Sequence, residues 1–110
     1  MQLEDRNKII EPIKNLLLKS NITKAALFGS FARNEDDYND IDILIETNNH
    51  TFFDLLKLET ELGKLLNIKV DLVEYNALKN SMKESVIKDS IVIIWAKEVT
   101  KFIFKILLKV

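Results

Sequence analysis

Acids and aliphatic residues alternate through Asp40-Ile41-Asp42-Ile43-Leu44-Ile45-Glu46, and no other stretch limits the fold as much. Side chains on a strand point to opposite faces in turn. Ile41, Ile43 and Ile45 therefore need a core behind them, while Asp40 and Asp42 share the other face with α-carbons roughly 6.6 Å apart. Neighbouring carboxylates repel, and folding gains nothing from pairing them. A divalent cation resolves that conflict, and an oxygen-rich site suits Mg²⁺ or Mn²⁺. A half-exposed antiparallel strand with merely solvated acids has the same pattern, so the strand alone leaves both readings open.

The rest of the chain supplies elements of both kinds. Ile9, Ile10, Ile13, Leu16 and Leu17 recur at helical spacing over about residues 4–19. Pro12 either bends that helix or moves its regular part to begin near Glu11. Ser20-Asn21 ends it, and Ile22 to Phe28 reads as a short buried strand. Gly29-Ser30 breaks the run, Phe31-Ala32-Arg33 can make a helical turn, and Asn34 to Asn39 is a polar, acidic loop. Thr51 is a candidate N-cap for a helix from Phe52 to Leu66, closed by Asn67. Ile68 to Tyr75 reads as a strand, Ala77 to Asp89 as weakly helical and Ile91 to Trp95 as a strand. The order α-β-turn-β-α-β-α-β predicts an α/β (α+β) domain, a small mixed sheet flanked by helices. Residues 1–96 form that domain. Residues 97–110 read as its amphipathic tail, with Val99, Phe102, Ile103, Ile106, Leu107 and Val110 on one helical face, although Phe102, Phe104, Ile106 and Leu108 also alternate as a strand would; the tail can dock a partner or its own core.

With 16 basic and 17 acidic residues among 110, the chain lacks the basic excess of a nucleic-acid binder. It has no cysteine, which excludes disulfides, thiolate metal sites and cysteine nucleophiles. The longest apolar stretch, Ile91 to Ala96, is far below the roughly 20 residues a membrane span requires. Met1 to Asp5 lacks the order of a signal peptide, so a cytoplasmic protein with no membrane role is expected. Arg6 and Arg33 are the only arginines, which makes an arginine at a functional position conspicuous.

Gly29-Ser30 at a strand-to-helix turn allows close backbone approach, with amides and a hydroxyl available to a phosphate. It stands about ten residues before the Asp40–Asp42 pair. In Ile68-Lys69-Val70-Asp71-Leu72-Val73, Val70 and Leu72 share one face and Asp71 takes the other. If that strand lies beside Asp40–Asp42, three acids converge. His50 reads as a solvent-exposed loop residue, Tyr38 as a surface-loop aromatic, and Trp95 and the six phenylalanines as core.

Gly29-Ser30-Phe31-Ala32-Arg33, the spacer, and Asp40-Ile41-Asp42-Ile43 together resemble the signature of the DNA polymerase β-type nucleotidyltransferases. Small size, the Ala-Arg pair and Val70-Asp71-Leu72-Val73 narrow the resemblance to the minimal nucleotidyltransferase (MNT) domains, MntA-like antitoxins of HEPN/MNT toxin–antitoxin pairs. Two positions depart from the family: Asn34 stands where glycine is usual and Asn39 where serine is frequent. Asn tolerates the left-handed conformation, so Asn34 can keep the turn. The resemblance implies that Asp40, Asp42 and Asp71 hold two Mg²⁺ ions and carry catalysis, with Asp71 as general base. It also implies that Gly29 and Ser30 bind the ATP phosphates. Arg33 would either reach a phosphate or pair with Glu35 or Asp36. AMP transfer from ATP to a tyrosine of a HEPN ribonuclease toxin is the implied reaction, with no direct nucleic-acid contact and with assembly, as homo- or hetero-oligomer, left open. Neutralisation by binding alone and small-molecule nucleotidyl transfer are the alternatives.

Overall fold

The computed structural model describes residues 3–47 and 49–95, with side chains from residue 5 onward. The expected tail, 97–110, lies outside the described residues. The elements are α1 (Leu3–Lys19), β1 (Lys24–Phe28), the four-residue α2 (Gly29–Ala32), β2 (Asp40–Glu46), α3 (Phe52–Leu66), β3 (Lys69–Glu74), a 3₁₀ turn (Tyr75–Ala77), α4 (Asn80–Lys88) and β4 (Ile91–Ile94). The expected order holds. α1 runs through Pro12 without a break, and the strands begin or end a residue or two inside their expected bounds.

The four strands form one mixed sheet in the order β3-β2-β1-β4. β1 pairs antiparallel with β2 and with β4, and β2 pairs parallel with β3. A parallel neighbour cannot be reached by a tight turn, and α3 is the crossover that returns the chain to the same end of the sheet. One face is packed: Ile41, Ile43 and Ile45 of β2, Leu27 of β1, Val70 of β3 and Ile94 of β4 lie against Ile13 and Leu17 of α1 and Leu58 and Leu62 of α3. Removing each such side chain from water contributes roughly 1.5–3 kcal/mol. The opposite face carries Asp40 and Asp42. Among the described residues no helix is long and apolar enough to cross a membrane.

Only two glycines occur in the chain, and asparagine does most of the left-handed work. Asn21 (φ 64°), Asn34 (φ 63°) and Asn67 (φ 54°) follow α1, α2 and α3 respectively. Thr51 caps α3 as expected, in a capping box with Asp54. Backbone and hydroxyl hydrogen bonds from Thr51 hold the Asp54 carboxyl below its ordinary value.

Several aromatic expectations are corrected. Phe31 is core, but Phe52 and Phe53 at the start of α3 are 73% and 77% exposed, and Trp95 is 55% exposed. Phe52 and Phe53 fall in the first turn of α3, ahead of Leu58 and Leu62 by which that helix enters the core, and Trp95 lies past the end of β4. Tyr38 packs against the core and meets Phe31 edge-to-face at 5.0 Å. His50 is half-buried, its Nε2 lying 2.7 Å from the Ser20 carbonyl oxygen, so it ties the α3 approach to the end of α1.

Candidate active site

Register brings the acids together. β2 and β3 align so that Asp42 stands directly beside Asp71, and Asp40 beside Lys69. Val70 is buried on the core face, which sends Asp71 outward. Asp40, Asp42 and Asp71 thus converge, each half-buried, with one carboxylate oxygen from each lying within 4.8 Å of the other two. Burial raises the Asp42 pKa from its ordinary 3.8 to about 6; the Asp40 and Asp71 charges and a hydrogen bond shared with Asp71 add to the rise, and Lys69 opposes it. The Lys69 ammonium lies 3.7 Å from Asp71 Oδ1. Three hard oxygen donors, one with its pKa raised by burial and by its two neighbours, are a donor set that a divalent cation fits.

β1 delivers the turn. Phe28 pairs with Asp42 across the sheet, so Gly29, the next residue, lies against the Asp42 side chain. Gly29 adopts φ +76°, and a β-carbon there would land on Asp42 Oδ2. Glycine is thus required twice, for its left-handed φ and for the approach of the carboxylate. Ser30 follows in α2, and the loop closes through Arg33 N to Gly29 O, Asn34 N to Phe31 O and Glu35 N to Ser30 O. Arg33 lies at the surface with its guanidinium on Glu35, at 2.9 Å from Nη2 and 3.0 Å from Nε to Oε2, the ion pair that is one of its two expected roles.

Two supporting residues escaped the sequence reading. Glu59 of α3 accepts a hydrogen bond from Leu72 N at 2.9 Å, fastening the edge strand beside Asp71. Arg6 of α1 donates to the carbonyls of Phe31 and Ala32. The conspicuousness of arginine in a lysine-rich chain was the one available signal for Arg6; a lone Glu on a helix gave none. Beyond the acids the same face continues into an apolar groove of about 630 Å³, lined by Ala26, Leu44, Tyr75, Ile87, Val92 and Trp95 among others.

A mixed sheet with acids on neighbouring strands beside a glycine-serine turn defines a nucleotidyltransferase. Comparison with known proteins agrees. The family model described as polymerase beta, nucleotidyltransferase, matches residues 7–99. A Methanocaldococcus jannaschii protein named as a proposed protein adenylyltransferase is 36% identical over 87 residues, covering 77% of this chain and 94% of that protein. A solved structure described as a minimal nucleotidyltransferase overlays with a TM-score of 0.70 at 30% identity, over 83% of this chain and 95% of the other. The fold is also that of a chain in the complex of a tri-AMPylated Shewanella oneidensis HEPN toxin with MNT antitoxin (TM-score 0.67, 19% identity, 88% and 78% coverage). The chain belongs to the polymerase beta nucleotidyltransferase family, in its minimal form.

Proposed function

We propose that this chain is a magnesium-dependent protein adenylyltransferase, the cytoplasmic antitoxin of a HEPN/MNT pair, which transfers AMP from ATP to a tyrosine hydroxyl of its HEPN ribonuclease partner. The observation that carries the reading is the convergence of Asp40, Asp42 and Asp71 next to the Gly29–Ser30 turn. The similarity to relatives named as protein adenylyltransferases supports the choice of AMP and of a protein acceptor. The shared fold with a chain of the AMPylated toxin complex supports the choice of partner.

Asp40, Asp42 and Asp71 would hold two magnesium ions, which supply charge neutralisation on the triphosphate and activation of the acceptor hydroxyl. The Gly29 and Ser30 amides and the Ser30 hydroxyl bind the β- and γ-phosphates and leave the α-phosphorus facing the acids. The acceptor oxygen attacks that phosphorus in line, the bond to the bridging oxygen breaks, and pyrophosphate leaves with the electron pair. Asp71 takes the hydroxyl proton. These residues contribute positioning and electrostatic stabilisation rather than covalent chemistry.

The test is to incubate the chain with ATP, Mg²⁺ and the product of the neighbouring gene, and to record intact masses. AMP adducts on the partner's tyrosine are expected, and none with Asp42→Ala. A tight complex without added mass would replace the reading by neutralisation through binding, and normal transfer by Asp42→Ala would overturn the metal assignment.

A further inference from the structure

Arg6 makes long-range contacts that reach the element carrying the Gly29–Ser30 turn. From the first turns of α1 it crosses to the end of α2, where Nη2 donates to the Phe31 carbonyl at 3.2 Å and to the Ala32 carbonyl at 3.1 Å. Its guanidinium lies over the Phe31 ring, 5.6 Å from the centroid, and that ring is itself held edge-on by Tyr38. Its Nε is buried and, among the described residues, has no hydrogen-bond partner. A buried polar group without a partner costs stability; an unbranched apolar side chain would spare that cost but would leave the Phe31 and Ala32 carbonyls without these bonds. What the guanidinium adds is a fixed position for α2, whose first two residues are Gly29 and Ser30.

We propose that Arg6 is a positioning residue for the nucleotide site. It pins the far end of α2 so that the Gly29–Ser30 turn keeps one spacing from Asp42, and so presents its amides and hydroxyl to the triphosphate at a set distance from the three carboxylates. The proposal rests on the reading of Gly29 and Ser30 as triphosphate-binding. Arg33, the arginine closer in sequence to the turn, is engaged with Glu35, whereas Arg6 reaches the turn's helix from α1, the element before β1.

The experiment compares the full-length wild type with Arg6→Met and Arg6→Lys. Affinity for inorganic triphosphate with Mg²⁺ is measured by calorimetry, steady-state constants for ATP and the protein acceptor are determined, and amide exchange is followed by mass spectrometry. A loosened turn misplaces binding groups by a fraction of an ångström, so Arg6→Met is expected to weaken triphosphate binding and raise KM for ATP roughly tenfold. KM for the acceptor should hold within about twofold, since no acceptor contact is assigned to the turn. Arg6→Lys keeps the charge and recovers part of the loss. Amides of Arg33, Asn34 and Glu35 exchange faster in Arg6→Met while those of β1 and β2 do not, a local signature that general destabilisation would not produce. Triphosphate affinity and ATP KM within about twofold of wild type would overturn the proposal and leave Arg6 a packing residue. If Arg6→Met does not fold, Arg6→Lys is judged by the same criterion. A wild type that takes up no triphosphate overturns the reading of the turn itself, and this proposal with it.

Discussion

Asp42 bears the largest conflict between folding and chemistry in the site. Its pKa, raised to about 6 from 3.8 chiefly by burial and then by Asp40 and Asp71, has a defined sign in stability. Between those two values Asp42 binds more proton in the folded chain than in the unfolded one, so its own contribution to metal-free stability is full below about pH 4 and declines as pH rises through 6. Urea titrations in chelator should show that decline, and Asp42→Asn should flatten it. The same substitution is expected to abolish transfer while stabilising the metal-free protein at pH 7 by about 1 kcal/mol, a figure reduced for partial solvent exposure. Gly29→Ala acts oppositely. It meets both the left-handed φ and the Asp42 carboxylate, so unfolding titrations should register a loss of about 2 kcal/mol, and nucleotide binding should fail. Both site residues were legible in the sequence, because the Asp-Ile alternation and a lone Gly-Ser have local causes. Arg6 as a partner of Phe31 was not, since nothing within a few residues of either links positions 25 apart.

At the level of elements, strand and helix identities followed from local pattern: alternation for β2, period for α3, and asparagines where the chain reverses. The side of β2 on which β3 lies, and in what register, did not, because the Asp42–Asp71 pairing is made across the α3 crossover. Coverage was equally out of reach. Hydrophobicity places Phe52, Phe53 and Trp95 inside, whereas their exposure at the start of α3 and past the end of β4 depends on packing that local pattern does not encode. Two substitutions in α3 separate structure from function. Thr51→Ala removes the cap and should lower stability by about 1 kcal/mol, with transfer per folded molecule unchanged. Glu59→Ala removes the acceptor for Leu72 N, costing about 1–2 kcal/mol. It should also slow transfer several-fold, through the freedom given to Asp71 on an edge strand. Denaturation paired with single-turnover rates distinguishes the two.

For the molecule as a whole, the core occupies one face of the sheet and the acids the other, so a ligand for the acids acts on the folded state without rearranging the core. Saturating Mg²⁺ and ATP should therefore raise the melting temperature by about 5 °C or more, by mass action. EDTA should reverse the shift, and Asp42→Asn should lose most of it; differential scanning fluorimetry suffices. The placing of Asp71 on β3, past the α3 crossover, has a consequence for synthesis. A nascent chain that has emerged only as far as Leu66 already displays the Gly29–Ser30 turn and two of the carboxylates, yet its ribosome still conceals the third. On the roles proposed for the three acids, catalytic competence arrives late and all at once, when β3 emerges and docks, and truncated translation products ending before that strand would be inert.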